Sequence, residues 1–195
     1  MPLIVLDVET TGLGHKSYPP RLDAVVQIGM AWRAADGEVK TWSQYCHPGD
    51  QYLRGGRAQA ALDINGITTD ILQAAQPAAF VAEQFWNQIF RFESQGDSVQ
   101  FRAYNKAFDA PFLAADPWNV PDERWGDCIM LDAANKLNAR WLKLQKATAT
   151  LQIDWPDGKA HDAATDAHAA LLVHEKINGI QAPAELQVLA GMAEQ

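Results

Sequence analysis

Asp7 and Glu9 are the first residues along the chain whose types and spacing could do chemistry. They stand at i and i+2, so on a β-strand both carboxylates leave the same face, about 6.6 Å apart along the chain. They follow Leu3-Ile4-Val5-Leu6, apolar on both parities, and precede Thr10-Thr11-Gly12-Leu13-Gly14. Small hydroxyl residues and glycines expose backbone N–H groups and allow a ligand to come close. Taken alone, a D-x-E pair is short and common, and a strand that has reached the surface reads the same way. Asp109 is the second such acid. It shares a helical face with Phe112 and Leu113, where an aspartate costs free energy unless it is neutralised. Its first-turn position next to the helix dipole is the plainer explanation. Asp166 is the third, with Ala170, Val173 and Ile177 at i+4, i+7 and i+11, an apolar stripe that a solvated face does not explain. His161 lies five residues earlier on a loop, with Asp162 placed to cap the helix that follows.

Each observation is weak by itself. Together they set four acids on three elements, each at an element end and turned inward, with a histidine beside the last. Close carboxylate pairs repel by about 4 kcal/mol at an effective dielectric near 20. A fold tolerates the cluster when divalent cations fill it, and hard oxygen ligands call for Mg²⁺ or Mn²⁺.

The elements that must position these groups are legible as patterns. Residues 3–9 read as a strand buried on both faces. Residues 24–33 and 38–46 read as a hairpin joined through Ala35-Asp36-Gly37. Residues 50–70 read as mostly loop with short helical pieces. Pro77 to Glu93 is the clearest helix, with Val81, Phe85, Ile89 and Phe92 in one stripe. A strand over 98–104 leads to a helix over 106–115 that Asn105 can cap. Shorter helices are expected at 130–138 and 143–151, and a longer one from His161 to Ile177. Strands followed by alternating helix and strand give an α/β domain.

With 195 residues, 48% hydrophobic and 21% charged, the chain has the composition of one globular domain. No apolar run approaches the ~20 residues of a membrane span, and the N-terminus lacks the basic flank of a secretory signal. Cys46 and Cys128 form no metal or disulfide framework, which points to a reducing cytoplasm. His15, His47, His168 and His174 make no zinc spacing with them. A formal charge of −8 argues against a non-specific nucleic-acid coat protein but not against a nucleic-acid enzyme that binds cations.

Asp7-Val8-Glu9-Thr10-Thr11-Gly12, Asn105-x-x-Phe108-Asp109 and His161-x-Ala163-x-x-Asp166-Ala167 resemble, in order, the three motifs of the DEDDh 3′→5′ exonucleases. That family includes the proofreading subunit of bacterial DNA polymerase III, ribonuclease T and oligoribonuclease. The resemblance covers about residues 3–178. It extends to Ile64-Asn65-Gly66-Ile67-Thr68, similar to the family's I-H-G-I-T, with Asn65 in place of His. Lys143-Leu144 before a helix also has a family look, and Tyr104 stands where many relatives carry His.

The resemblance implies an RNase H-like fold, a mixed and mostly parallel sheet of five strands with the second antiparallel, flanked by helices. It implies an exonuclease unit, set at 1–180, and release of nucleoside monophosphates from a 3′ end. Residues 181–195 read as a loosely held tail. Single strands, DNA foremost, are the expected substrate because they can thread and stack on aromatic side chains. Asp7 would bridge two metal ions, Glu9 and Asp166 would hold the one carrying the attacking water, and Asp109 would reach the other. His161 would be the general base. Thr10, Thr11, Gly12, Leu13, Asn65, Asn105 and Phe108 would hold the terminal nucleotide.

Lys136, Arg140, Lys143 and Lys146 recur at helical intervals, and Arg54, Arg57, Arg102, Lys106 and Lys159 fall near motif ends. The first four read equally well as a solvated helix face or as a phosphate track, because Asn138 to Trp141 can break the helix between them. Trp125, Trp141 and Trp155 are candidates for stacking on single-stranded bases. An RNA-trimming enzyme of the same family and a non-catalytic nucleic-acid or polymerase-binding module are the alternatives. Presence of all four acids and His161 speaks against the second. A polymerase partner, and a monomer or a homodimer, are all compatible with the sequence.

Overall fold

A computed structural model describes residues 3–14, 22–54, 56–94, 96 and 98–180. The expected tail over 181–195 lies outside the described residues. Strands β1 (Leu3–Thr10), β2 (Val25–Arg33) and β3 (Val39–His47) come first. Helices α1 (Asp50–Leu53), α2 (Gly56–Asn65) and α3 (Thr69–Ala74) follow, then the two-residue strand β4 (Gln76–Pro77) and α4 (Ala78–Glu93). Strand β5 (Gln100–Ala103) leads to α5 (Lys106–Ala114), α6 (Ile129–Lys136), α7 (Leu144–Thr150) and α8 (Ala163–Ile177). The sheet order is β4-β3-β2-β1-β5. β2 runs antiparallel to both its neighbours while β1 pairs with β5, and β3 with β4, in parallel. This is the mixed five-stranded α/β architecture that the resemblance implies.

The hairpin forms as expected. Gly37 adopts φ 84°, a left-handed conformation that glycine takes without steric cost, and its N–H donates to Ala34 O at 2.9 Å. Residues 50–70 are more helical than their composition suggests. Ala58 and Leu62, at i and i+4, are the buried residues of α2, and Leu62 packs with Val26, Ile67 and Leu72. Gly66 ends α2 at φ 68°, where the Ile67 N–H reaches back to Leu62 O, and Thr68 then caps α3. Pro77 pairs with His47 in β4 rather than entering the first turn of α4.

The alternation of β1 decides what each face of the sheet becomes. Ile4, Leu6 and Val8 join Val81, Phe85 and Ile89 of α4 and Phe112 and Leu113 of α5 in one core. Val5 faces the other way, into a second core with Ala31, Ile129, Ala133, Ala147, Ala170 and Leu171. Asp7 and Glu9 continue that second face beyond the point where the apolar residues end. Trp125 is 8% exposed and packs on Phe101 with ring centroids 6.0 Å apart, so it belongs to the core and is not a base-stacking surface.

Candidate active site

The register of β1 against β2 sets Val5, Asp7 and Glu9 opposite Ala31, Gly29 and Gln27. Small residues beside Val5 and Asp7 let α8 settle directly on β2. A Cβ at Gly29 would lie 2.2 Å from the Ala163 carbonyl carbon, so only glycine admits the first turn of α8 there. Gln27, 1% exposed, then pins that turn: its Nε2 donates to Asp162 Oδ2 at 2.8 Å and its Oε1 accepts from the Ala163 N–H at 3.3 Å. Asp162 caps α8 as its sequence position suggests, accepting from Thr165 N–H at 3.1 Å. His161, immediately before, is exposed at φ 63°. One helical turn later Asp166 points back toward β1, and single ligand atoms of Glu9, His161 and Asp166 all lie within 4.8 Å of one another.

Asp109 arrives from the opposite edge of β1. Parallel pairing with β5 ends at Leu6, and beyond it the Val8 N–H donates to Asp109 Oδ1 at 3.1 Å. Asp109 is 2% exposed. Asn105 occupies the start of α5 without making the side-chain cap its type suggests; its backbone carbonyl accepts from Phe108 N–H, and its side chain lines the cleft.

The electrostatics follow from this convergence. Burial, then Asp109, Asp166 and Glu9, hold the Asp7 carboxyl well above its usual range. Burial, then Asp166 and Asp109, push Glu9 up to about 8. Burial raises Asp109 to about 7 against the Val8 N–H, which favours the anion. Burial raises Asp166 to about 6, with His161 pulling the other way. Asp166 Oδ1 is buried without a hydrogen-bond partner among the described residues. An orphaned carboxylate oxygen within a group of mutually repelling acids fits a divalent cation, and the oxygen-rich donor set fits Mg²⁺ or Mn²⁺.

A cleft of about 520 Å³ opens over these groups, lined by Asp7, Glu9, Asp109 and His161 together with Leu13, Ile64, Asn65 and Phe108. Leu13 and Ile64 stay 74% and 66% exposed, leaving apolar walls next to a charged floor. Asn65 Nδ2 donates to Thr10 O at 3.3 Å and Thr10 Oγ1 to Gly12 O at 2.6 Å, which fixes the turn. Thr11 departs from its expected place on the substrate. It is fully buried, its N–H donates to Ala24 O and its Oγ1 accepts from Ala24 N–H, so it anchors the turn from below.

Gln27, Gly29 and Asp23 were not singled out by the sequence reading. Asp23, 3% exposed, accepts from Gly14 N–H at 2.9 Å and lies 3.3 Å from Arg57 Nη2. A Cβ at Gly12 would sit 2.5 Å from its Oδ1. The available signal for Gln27 is its polarity inside the apolar run Ala24-Val25-Val26-Gln27-Ile28. Of the basic residues near motif ends, Arg57 lines the cleft. Arg102 is committed to Asp132 at 3.0 Å, and Lys106 donates to Gly126 O at 3.0 Å.

A five-stranded mixed sheet carrying acids from β1, α5 and α8 around one cleft defines a nuclease-like site. The exonuclease family of the ribonuclease T type matches residues 4–174, and the chain belongs to that family. No curated protein sequence matches. Solved structures do match, at identities that speak to the fold. The nuclease domain of 3'hExo, a DEDDh family member bound to rAMP, is 16% identical at a TM-score of 0.66, covering 92% of this chain and 93% of its own. A 3'-exonuclease that recognises the 3' end of histone mRNA stem-loop is 16% identical at a TM-score of 0.69, covering 92% and 64%. E. coli exonuclease I in complex with a 5cy-dT13 oligonucleotide is 20% identical at a TM-score of 0.66, covering 92% and 41%. The chain thus spans less than two thirds of the length of several proteins it matches, including 64% of cell-death related nuclease 4.

Proposed function

We propose that the protein is a metal-dependent 3′→5′ exonuclease that releases nucleoside monophosphates from single-stranded nucleic acid, DNA foremost. The observation that carries this reading is the convergence of Asp7, Glu9, Asp109 and Asp166 under one cleft, with an orphaned Asp166 oxygen beside His161.

In this reading Asp7, Glu9, Asp109 and Asp166 hold two divalent ions. When bound, such ions neutralise phosphate charge and stabilise the attacking and departing oxygens of an in-line displacement. The backbone of the turn from Thr10 to Leu13 receives the terminal nucleotide, whose base lies against Leu13 and Ile64. Asn105 and Phe108 border it on the α5 side. His161 takes a proton from the attacking water as its oxygen bonds to phosphorus, and the departing 3′ oxygen is protonated as the P–O bond breaks. The exposed setting of His161 allows it to return that proton to solvent after each turnover. Activity is assigned to residues 1–180, in a cytoplasmic setting.

The test uses 5′-labelled single-stranded DNA and RNA of equal sequence, with Mg²⁺ and with chelator. A ladder shortening from the 3′ end on DNA supports the reading, and a ladder on RNA alone makes the enzyme an RNA trimmer. Label released as a mononucleotide means the opposite polarity. No metal-dependent product on either strand sinks the activity.

A further inference from the structure

Positions 133–153 carry four of the 16 Lys and Arg residues and none of the 24 Asp and Glu residues, in a chain of charge −8. The four are Lys136, Arg140, Lys143 and Lys146. All are exposed, and none enters an ion pair among the described residues. By contrast Arg33, Arg57, Arg102 and Arg124 each face a carboxylate. These four cations do not share one helix face, because α6 stops at Lys136 and α7 begins only at Leu144. Asn138, at φ 51°, turns the chain between them into a strap.

Burial along the strap alternates. Trp141 is 62% exposed, Leu142 is 7% exposed, and Lys143 is exposed again. The buried Leu142 carbonyl accepts the Tyr104 hydroxyl at 2.6 Å, and Tyr104 lines the catalytic cleft together with Leu144. Tyr104 therefore fastens the strap to the cleft rim. An exposed indole is ordinary by itself. Here it is held on a tethered backbone, between two cations that form no ion pair among the described residues, next to an opening whose floor is acidic.

We infer that the strap from Arg140 to Lys146 is the docking surface for the single strand that feeds the cleft. An upstream base stacks on Trp141, and Arg140, Lys143 and Lys146 contact phosphates. This rests on the nuclease reading for the strand's direction. Stacking on one exposed ring requires an unpaired base, which selects single strands over duplexes and tolerates any sequence. Charge complementarity selects a polyanion, and the indole selects one carrying bases over an acidic polypeptide.

The experiment measures binding of a 5′-labelled oligothymidylate by fluorescence anisotropy, in chelator so that hydrolysis cannot intervene. Trp141→Ala is expected to raise Kd about tenfold, the scale of one lost base–aromatic stack. Trp141→Phe should retain most of the affinity, which a merely structural role of the position would not require. Removing two phosphate contacts with Lys143→Ala and Lys146→Ala should reduce the slope of log affinity against log salt by about 1.4. Unchanged affinity and slope in variants that keep the wild-type melting temperature would overturn the assignment. So would competition by polyglutamate as effective as that by unlabelled oligonucleotide. A wild type that binds through these residues yet never shortens the strand removes the proposed activity and leaves this surface standing.

Discussion

Gln27 Nε2 donates to Asp162 Oδ2 at 2.8 Å, tying the strand beside Glu9 to the turn that presents His161. Both ends of the amide are used, because Oε1 also accepts the Ala163 N–H. Gln27→Leu keeps the volume and leaves that N–H without its partner. The expected cost is about 1–3 kcal/mol in urea denaturation, the penalty for a buried group left unsatisfied. Turnover should fall further than stability does, since His161 and Asp166 lose their common reference to β1. Gln27→Glu should be worse, because it sets a second carboxylate against Asp162. Full activity in both variants, measured where they are folded, would show that the bond does not position the site.

The raised acids give the metal-free protein an unusual pH dependence. Unfolded carboxylates titrate near 4. In the folded protein Asp166, Asp109 and Glu9 are raised to about 6, 7 and 8, and Asp7 lies well above its usual value. Between those limits the native state holds more protons than the unfolded chain, so stability falls as pH rises through the folded values. The melting temperature in chelator should therefore drop from about pH 5 to pH 8. Millimolar Mg²⁺ should raise it by mass action and most at the alkaline end, where the acids are ionised. Asp7→Asn should flatten the pH profile, raise the metal-free melting temperature and abolish hydrolysis. Thermal scans across pH with and without metal decide it, and a profile rising with pH in chelator contradicts the convergence.

What the sequence made legible is what periodicity and local chemistry encode. Asp7 and Glu9 share a face because strand geometry requires it, and Asp166 turns inward because its i+4 and i+7 neighbours are buried. The Asp162 cap is a local signal and formed. The positioning layer was not legible, because its partners are far apart in the chain. Gln27 meets residues more than 130 positions away, and Gly29 matters only through the backbone of α8. Thr11 shows the converse, a side-chain type that suits ligand contact placed where its bonds to Ala24 make it an anchor, and Asn105 holds a capping position without making the cap. The break that separates the four cations was legible, because the local pattern already sets separate helices over 130–138 and 143–151, and Asn138 at φ 51° falls between α6 and α7.

His161 should separate proton transfer from metal binding. A base that takes the water's proton contributes about 10²–10⁴ in rate, so His161→Gln should lose turnover on that scale. The carboxylates remain, and hard cations prefer oxygen ligands, so the Mg²⁺-induced rise in melting temperature should persist. His161 also lies within ligand distance of Glu9 and Asp166, which makes the second measurement decisive. If the metal-induced shift disappears with the imidazole, His161 is a ligand and the base must be sought elsewhere.

Gly29 offers the sharpest steric test, because its neighbour is backbone and cannot rotate away. The Cβ of Gly29→Ala would meet the Ala163 carbonyl carbon at 2.2 Å and its oxygen at 2.3 Å. The first turn of α8 must then lift from β2, and with it the Asp162 and Ala163 bonds to Gln27. Overpacking of this kind costs about 1–3 kcal/mol, so the variant should fold with a lowered melting temperature. Asp7 stands opposite Gly29 in the register, so lifting α8 also draws Asp166 away from the acids of β1. That separation weakens the mutual repulsion and the metal site together. The variant should thus show a shallower pH dependence in chelator, a smaller Mg²⁺ shift and little hydrolysis. A Gly29→Ala protein with wild-type metal response and turnover would mean that close approach of α8 to β2 does not set the geometry of the site.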